Sequence, residues 1–553
     1  MAPARATKRK PRLERRMKFL SPFWQRTGVL LLTLAAYAPV FNHGFVNLDD
    51  AAYVTRLAEW SWTAVGRLFA EFFEGYQPLS LLTLGVIRHL CGLNPWPQHA
   101  ANVVLHLANT ALVYAFLRGL SGRHGPALLA AAVFGVHPVH VEAVAWIASR
   151  KDVLYAFFYL LALWSHARYA RNGSPWAYGG ALAAMALAAL SKGMALSLPL
   201  ALLAVDVYLG RAARPWRTAL EKAPFLALAA ATGAVALWSQ RAADYLPAAE
   251  NLAPPLVRWA LAGQALLGYV RYLALPLGLS AYHPYPAGAA LTPGLAAAAL
   301  LALAGAAAAI AARRRAPAAA FGGLFFLATI GPFLQWVPVA DFLIAHRYNY
   351  VSSIGFCFLV GTAAARGLAA PALLGRGLAA AAMALYLGAL ALGTFRLSGV
   401  WRDSLTLWND VLRKAPGAPF ALNMRGCAYV EQGRWAEALA DFDAAAARAP
   451  RFAQTYVNRG YVLYVLGRDE EARADLDRAL QSRPNDPLAY NNRGLVRRRL
   501  GDRAGALADF DAALRCGGGT AEAPLFYHNR AVTRAALGDD AGAIEDAGRA
   551  VAG

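Results

Sequence analysis

The chain has 553 residues, of which 58% are hydrophobic, and its mean hydropathy is +0.35. Long apolar runs at this composition exclude an ordinary soluble enzyme and indicate a polytopic membrane protein. The formal net charge of +21 would suggest nucleic acid as a partner of a soluble chain. Here the basic residues stand mostly in short loops between apolar runs, so membrane orientation explains the excess and we expect no nucleic-acid partner. The four cysteines lack metal-ligand spacing, which argues against a zinc site or a disulfide framework.

The first predicted element is a membrane span at residues 24–42, preceded by a basic tail at residues 1–23. Basic residues beside a first span favour the cytoplasmic side, so we predict a cytoplasmic N-terminus. Asn47-Leu48-Asp49-Asp50 then emerges on the opposite face. Ionisable groups at a membrane boundary are costly and often functional, which makes Asp49 and Asp50 candidates. A solvated or helix-capping turn is the alternative interpretation of this pair.

Apolar segments of roughly span length continue along the chain. They lie at residues 98–117, 126–148, 152–167, 176–191, 194–209, 223–239, 258–279, 291–312, 317–337, 350–366 and 377–395. Basic clusters mark alternate loops, and segment 258–279 breaks the alternation, so we interpret it as re-entrant or interfacial. The run 78–92 is too short to span and is predicted to be an interfacial helix. The pattern predicts an all-α membrane domain at 24–396 with about eleven crossings, which leaves the C-terminus outside.

Charged residues concentrate in two further predicted loops on the same side as Asp49 and Asp50. One loop contains His137, His140, Glu142, Arg150, Lys151 and Asp152. The other runs over 341–350 and contains His346, Arg347 and Tyr348. Lys192 stands at the outer end of a predicted span. Because these residues are far apart in sequence but share one membrane face, we predict that they form one site.

After Trp401 the composition changes to short amphipathic helices that repeat. Gly426, Gly460 and Gly494 recur every 34 residues, and Asn-Arg precedes the second and third of them. Small residues at fixed positions allow paired helices to approach closely, while bulky residues fill the gap between them. This is the tetratricopeptide pattern. We predict a linker helix at 397–416 and an α-solenoid of about four repeats at 417–553.

Several motifs together resemble one family. They are Phe45-Val46-Asn47-Leu48-Asp49-Asp50, Tyr76-Gln77-Pro78-Leu79, residues 99–109 (HAANVVLHLAN), residues 137–146 (HPVHVEAVAW), Arg150-Lys151-Asp152, Ser191-Lys192-Gly193 and His346-Arg347-Tyr348. The chain resembles the transmembrane and tetratricopeptide repeat-containing (TMTC-like) protein O-mannosyltransferases, and its bacterial relatives are the closer match. The resemblance covers nearly all of the chain beyond the first 20 residues and implies a membrane enzyme of the GT-C glycosyltransferase superfamily.

The resemblance also implies a function and a location. The enzyme would move a sugar, in this family mannose, from a polyprenyl-phosphate donor to Ser/Thr hydroxyls of exported proteins, and the repeats would recruit the acceptor. Its partners would be the lipid-linked donor, exported proteins and membrane lipids. It would lie in a bacterial inner membrane with its repeats in the periplasm. A lipid or glycan acceptor, and a non-catalytic scaffold with protein-binding repeats, are the alternatives.

For such a reaction, Asp50 or Asp49 is the expected general base, with Asp50 preferred because it is farther from the span. Partial desolvation at the membrane surface raises a carboxyl pKa toward the working range. The leaving phosphate needs cations, and the candidates are Arg347, Lys192, Arg150 and Lys151. Each of these cations has a simpler interpretation as an interfacial side chain whose charge reaches toward water.

The remaining polar residues are interpreted as support. His137, His140 and Glu142 could ligate a divalent metal. We prefer a hydrogen-bonded network of these residues with Asp152, His346 and Tyr348, and expect no metal or other cofactor beyond the donor. In the repeats, Asn458, Asn492 and Asn529 share one position, so a ladder of side-chain amides could hold an extended acceptor backbone. The alternative is that these asparagines only make the surface of one helix polar.

Overall fold

The computed structural model describes residues 21–55, 60–71, 75–211, 215–242, 253–286, 290–334, 336, 342–520 and 522–552. Most of the basic tail 1–23 and the start of loop 341–350 lie outside these residues. The described chain is predominantly helical, which confirms the all-α prediction. It divides into two compact units, a membrane unit (Met1–Phe45 and Asp50–Arg402) and a repeat unit (Val46–Asp49 and Asp403–Gly553).

The membrane unit contains helices α1 to α16 and one pair of short strands. The helices are α1 (Pro22–Ala36), α2 (Asp50–Thr55), α3 (Trp62–Ala70), α4 (Pro78–Cys91), α5 (Pro95–Ser121), α6 (His124–Val136), α7 (Val141–Ala145), α8 (Arg150–Asn172), α9 (Pro175–Ser191), α10 (Leu198–Tyr208), α11 (Pro215–Ala242), α12 (Pro255–Ala274), α13 (Pro293–Ala311), α14 (Pro317–Ile330), α15 (Asn349–Leu368) and α16 (Leu373–Ser398). Strands β1 (His283–Pro284) and β2 (Phe342–Ile344) pair antiparallel.

Five described stretches of helix are long and apolar enough to cross a membrane. They are Pro95–Ser121, Trp216–Arg241, Pro293–Ala311, His346–Leu368 and Leu373–Trp401, with a sixth if the bent pair His124–Val136 and Pro138–Ala145 is one span. Shorter apolar helices lie at Pro78–Cys91, Pro175–Ser191, Gly193–Tyr208 and Pro317–Phe333. Leu300, Leu301 and Leu303 of α13 are all exposed, as expected for a helix that faces lipid. The multi-pass character is confirmed, and the number of about eleven crossings stays a prediction.

The apolar segment 126–148 is broken at its centre. His137 is extended (φ −78°, ψ 124°), because the following Pro138 disfavours helical geometry in the residue before it. Pro138 opens a 3-10 turn, α7 follows, and a second 3-10 turn leads into α8 at Arg150. The two halves of the segment are bent by 53°. This break places a stretch of short turns, instead of a continuous helix, between α6 and α8.

The segment expected at 258–279 forms α12, which does not meet the criteria for a span in the described chain. Its apolar face packs into a buried cluster with Val139, Ile330 and Leu343. Tyr269 of this helix accepts a hydrogen bond from the backbone N–H of Ala345 (3.2 Å). Helix α12 therefore packs against the segment that precedes Arg347 and helps to hold it in place.

The repeat unit consists of α17 (Ser404–Lys414), α18 (Pro419–Glu431), α19 (Trp435–Arg448), α20 (Ala453–Val465), α21 (Asp469–Ser482), α22 (Pro487–Arg499), α23 (Arg503–Gly517), α24 (Ala523–Ala535) and α25 (Asp540–Ala552). A Cβ atom on Gly494 would lie 2.7 Å from the Phe510 ring, which explains the small and bulky residues of the repeat. Within the predicted linker 397–416, α17 packs on α18 with Trp408 fully buried.

Candidate active site

Residues 142–152, here called the hub segment, contain or contact most of the candidate site residues of the membrane unit. The segment comprises most of α7, a 3-10 turn and the start of α8, which is the stretch that the break after His137 creates. Its members contact Asp50, Arg347 and Lys192 through separate groups. The structure therefore brings together residues from three predicted outer regions.

Asp50 is the first residue of α2 and is 1% exposed. Its Oδ1 accepts a hydrogen bond from the backbone N–H of Ala148 in the hub segment (2.9 Å). Such a bond holds the carboxylate in one orientation. Asp49 is half-buried and belongs to the repeat unit, so the two adjacent aspartates fall in different units.

Arg347 pairs with Glu142 of the hub segment. Its Nη1 donates to Glu142 Oε1, and its backbone N–H lies 3.4 Å from the other carboxylate oxygen. The guanidinium carbon lies 5.1–5.4 Å from the ring centres of Trp146, Phe342 and Tyr348. The side chain is 14% exposed. A guanidinium has five N–H donors, so it can hold a carboxylate and still present donors to a second anion.

Lys192 follows α9 and donates to Asp152 Oδ1 at the other end of the hub segment (2.6 Å). Its ammonium also lies 5.3 Å from the centre of the Tyr348 ring. Burial lowers the pKa of Lys192 to about 8, although the Asp152 carboxylate acts in the opposite direction. This lysine therefore changes its charge state near pH 8, well below the range of an exposed lysine.

Lys151 donates to the hydroxyl of Tyr53 (2.8 Å), which also accepts from Gln77 Nε2 (2.6 Å). Tyr53 stands one helical turn after Asp50 on α2 and is 1% exposed. The sequence motifs included Gln77 only as part of a resemblance and did not include Tyr53. The spacing of three residues between Asp50 and Tyr53 could have indicated Tyr53 as a site residue, because residues three apart share a helix face.

Arg150 is 1% exposed and makes structural contacts. Its Nε donates to Asn102 Oδ1 and its Nη2 to the backbone carbonyl of Gln98 (2.8 Å). Asn102 in turn donates to the carbonyl of Trp146 (3.0 Å). Arg150 thus ties the hub segment to α5, and of the four predicted cations it is the most deeply enclosed.

His137 and His140 bind neighbouring chain segments. His137 Nε2 donates to the carbonyl of Leu273 (2.9 Å), and its Nδ1 accepts from the backbone of Val139. His140 Nδ1 donates to the carbonyl of Phe134, and its Nε2 lies 2.9 Å from Ser353 Oγ. Both rings are engaged on both nitrogens, and no group of three potential metal ligands occurs in the described residues.

His346 adds a partner that sequence reasoning did not include. Its Nε2 lies 2.9 Å from Nε2 of His283, which is in β1. The Tyr272 ring of α12 packs edge-on against His346. Nothing in the local pattern around His283 indicated this pairing, because 63 residues separate the two histidines. The contact fixes the turn that carries Arg347.

In the repeats, the three candidate asparagines are not equally accessible. Asn458 is half-buried and donates to Asn423 Oδ1 (3.1 Å), and Asn492 is also half-buried. Asn529 is buried and donates to Asn491 Oδ1 (2.8 Å). The amides of Asn458 and Asn529 therefore link one repeat to the preceding one.

The arginine beside each asparagine makes a contact that sequence reasoning missed. Arg459 grips Asp475 through two N–H groups (2.6 and 2.7 Å) and reaches Asp443 of the preceding repeat (2.7 Å). The same pattern joins Arg425 to Asp441, Arg493 to Asp509 and Asp477, and Arg530 to Asp546 and Asp511. A signal was present, since the aspartate of the same repeat follows its arginine by 16 residues in all four repeats.

Two family models match the chain. Residues 77–239 match the dolichyl-phosphate-mannose-protein mannosyltransferase family, and residues 423–487 match the tetratricopeptide repeat family. The first match covers the hub segment, Lys192 and Gln77. The second covers α18 to α21.

Curated relatives carry related names. Protein O-mannosyl-transferase TMTC2 of Mus musculus is 34% identical over 145 residues, which are 24% of this chain and 17% of that protein. TMTC1 of Homo sapiens is 40% identical over 18% of this chain and 12% of its own length. TMTC4 of Homo sapiens is 31% identical over 28% and 24%, respectively. The matches thus span no more than about a quarter of these relatives.

Among solved structures, a thermophilic tetratricopeptide protein from Thermus thermophilus is 25% identical, with 30% of this chain and 87% of that chain covered and a TM-score of 0.25. The sequence matches cover both units of the chain, the membrane unit and the repeat unit. By these matches, the chain is similar to the TMTC-like protein O-mannosyltransferases, with a mannosyltransferase-family region in the membrane unit and tetratricopeptide repeats in the repeat unit.

Proposed function

We propose that this protein transfers mannose from a polyprenyl-phosphate donor to Ser/Thr hydroxyls of exported proteins. The observation that carries the proposal is the hub segment, which contacts a buried carboxylate and two phosphate-binding candidates. A transfer of this kind needs both kinds of group, since one proton leaves the acceptor while a phosphate leaves the sugar.

On this proposal Asp50 is the general base. The acceptor oxygen attacks the anomeric carbon of the sugar, its proton passes to the Asp50 carboxylate, and the bond from that carbon to the phosphate oxygen breaks. The hydrogen bond from Ala148 holds the Asp50 carboxylate in one orientation on the hub segment. The low exposure of Asp50 excludes water, which would otherwise compete with the acceptor.

Arg347 and Lys192 bind the phosphate as it leaves. Glu142 and Asp152 orient these cations before the donor arrives, so little reorganisation is needed when charge develops. Lys151, held by Tyr53, is a further cation on the same segment. Arg150 acts by positioning the segment, because its donors are used by Asn102 and Gln98.

The repeats recruit the acceptor protein. Asn458 and Asn492 are half-buried at equivalent positions, and the Asn458 amide exchanges its bond to Asn423 for one to an extended acceptor backbone. Hydrogen bonds to the backbone do not depend on the side chains of the acceptor, which suits an enzyme that modifies several exported proteins. The bacterial inner membrane, with the repeats on the periplasmic side, is the location that we propose with this function.

Transfer from radiolabelled polyprenyl-phosphate mannose to a Ser/Thr peptide tests the proposal, with the full chain in lipid nanodiscs. Asp50→Asn preserves shape and removes basicity, so the rate should fall by roughly 10²–10⁴-fold with donor binding retained. Asp49→Asn is the matched control and should change the rate little. Wild-type protein that transfers no mannose, or an Asp50→Asn protein at full rate, would contradict the proposal.

A further inference from the structure

A cavity of the membrane unit, here called the groove, lies between α1, α5 and α6, away from the hub segment. Its volume is about 330 Å³, within the usual range for ligand pockets. Most of its wall is apolar, from residues such as Val29, Leu30, Ala111, Ala115 and Leu128. The function proposed above does not use it.

The two threonine hydroxyls in the wall donate within their own helices and not toward a ligand. Thr110 Oγ1 donates to the carbonyl of His106 (2.9 Å), and Thr27 Oγ1 donates to the carbonyl of Phe23 (3.2 Å). Each hydroxyl is thus used within its own helix. The interior of the groove therefore suits a hydrocarbon chain and not a polar metabolite.

Two arginines lie at one end of the groove. The guanidinium carbons of Arg26 and Arg118 lie 5.7 and 5.9 Å from the centre of the Tyr114 ring, and both side chains are exposed. Arg118 also donates to the Tyr114 hydroxyl (2.9 Å). Helices α1, α5 and α6 contain no Asp or Glu. In the described part of the chain neither arginine forms an ion pair, so the local charge is available to an anion.

This charged end lies at the end of α5 that is far from the hub segment. Helix α5 is one of the candidate spans, and it contacts the hub segment through Asn102, near its start. Arg118 follows sixteen residues later, which is about 24 Å along a helix. Arg26 lies at the start of α1 and His124 at the start of α6. Cations at this end are therefore too far from the hub segment to bind the phosphate of the same donor.

We propose that this groove binds one acyl chain of an anionic phospholipid, with the phosphate held between Arg26 and Arg118. The apolar wall matches the chain, and the two arginines match the headgroup. Arginine forks grip phosphate oxygens, and cations near a membrane surface favour anionic lipids. The bound lipid fills the space between α1, α5 and α6.

Photo-crosslinking tests this site in the full chain, in nanodiscs of phosphatidylcholine with a small fraction of a diazirine-acyl lipid. Labelled phosphatidylglycerol should react with peptides from α1, α5 and α6, with roughly tenfold or greater preference over labelled phosphatidylcholine. Unlabelled phosphatidylglycerol should compete, and glycerol 3-phosphate should not. Equal labelling by the two lipids would overturn the proposal, as would competition by the soluble phosphate, which would indicate a simple anion site.

Variants separate the two parts of the site. Arg26→Gln with Arg118→Gln should remove the preference for phosphatidylglycerol, while Ala115→Phe should reduce labelling by filling the groove. Arg313→Gln with Arg314→Gln removes two exposed charges from the end of α13 and should leave labelling unchanged. Undiminished preference in the Arg26/Arg118 variant would overturn the proposal even if Ala115→Phe fails to fold.

Discussion

Arg347 and Lys192 each face a carboxylate in the absence of substrate. A partly buried charge that loses its partner is destabilising, so Glu142 and Asp152 are needed for the cations to stay in place. On the proposed function, the donor phosphate therefore does not meet an unpaired charge. It joins an existing pair, and the shape of the cation decides how well it can do so.

Replacement of Arg347 by Lys should weaken donor binding although it conserves charge. The guanidinium holds Glu142 and contacts three aromatic rings, while an ammonium is a point charge that cannot present the same planar fork. We expect donor affinity to fall by roughly tenfold, the value of a lost charged hydrogen bond. Binding of a polyprenyl-phosphate probe measures this, and unchanged affinity would shift the phosphate role to Lys192 and Lys151.

Donor binding should also depend on pH through Lys192. Burial lowers its pKa to about 8, so the side chain is cationic below that pH and neutral above it. Affinity for the phosphate should therefore be retained at pH 7 and decline as pH rises through about 8. The groups facing Lys192 are Asp152, Lys151, Arg347 and Tyr348.

Lys192→Arg is the control for this pH profile. A guanidinium remains charged throughout the accessible range, so the decline near pH 8 should disappear in the variant. Donor affinity measured from pH 6 to about 10 compares the wild-type protein with the variant. If the decline persists in Lys192→Arg, another group titrates there.

Among the elements, most helices were predictable and the contacts that join distant segments were not. Apolar length placed α5, α9, α13 and α15 within a few residues of their observed bounds. The break at His137 follows from Pro138, which the sequence displays, although a hydropathy pattern averages over it. Local patterns carry this information because helix formation depends on nearby residues.

The segment around Asn47 shows why the rest could not be predicted. Asn47 accepts from Trp408 Nε1 (2.7 Å) and donates to the carbonyl of Met424 (2.9 Å). Its backbone N–H donates to Ser404 Oγ, 357 residues away in sequence. These contacts make Val46–Asp49 part of the repeat unit. No periodicity connects such residues, since tertiary packing alone brings them together.

The two half-buried asparagines of the repeats and the buried one should respond differently to substitution. Asn458→Ala with Asn492→Ala should lower affinity for an acceptor protein by about tenfold, from the loss of two neutral hydrogen bonds. Asn529→Ala should mainly speed hydrogen exchange in α22 and α24, because it leaves the buried Asn491 amide without its donor.

Acceptor binding and hydrogen exchange, both measured on the double variant and on Asn529→Ala, distinguish these roles. A short soluble peptide, which hardly reaches the repeats, should lose less affinity for the double variant than a whole protein does. Normal modification of whole proteins by the double variant would show that the repeats dock partners without holding the acceptor backbone.

In the whole molecule, the adjacent Asp49 and Asp50 fall in different units, and this separation supports Asp50 as the base. Asp50 is oriented by the hub segment of the membrane unit, together with the phosphate-binding candidates. The repeat unit has its own framework, in which arginine–aspartate pairs recur from Arg425 to Arg530. On the proposed function, the chemistry belongs to the membrane unit and recruitment of the acceptor to the repeat unit.

The central claim is that this protein attaches mannose to exported proteins. Mass spectrometry of exported glycopeptides tests it most directly, in cells that lack the protein and in the same cells with wild-type or Asp50→Asn protein at equal abundance. We predict hexose on Ser/Thr residues only in the wild-type cells. Equal hexose occupancy in all three samples would contradict the claim.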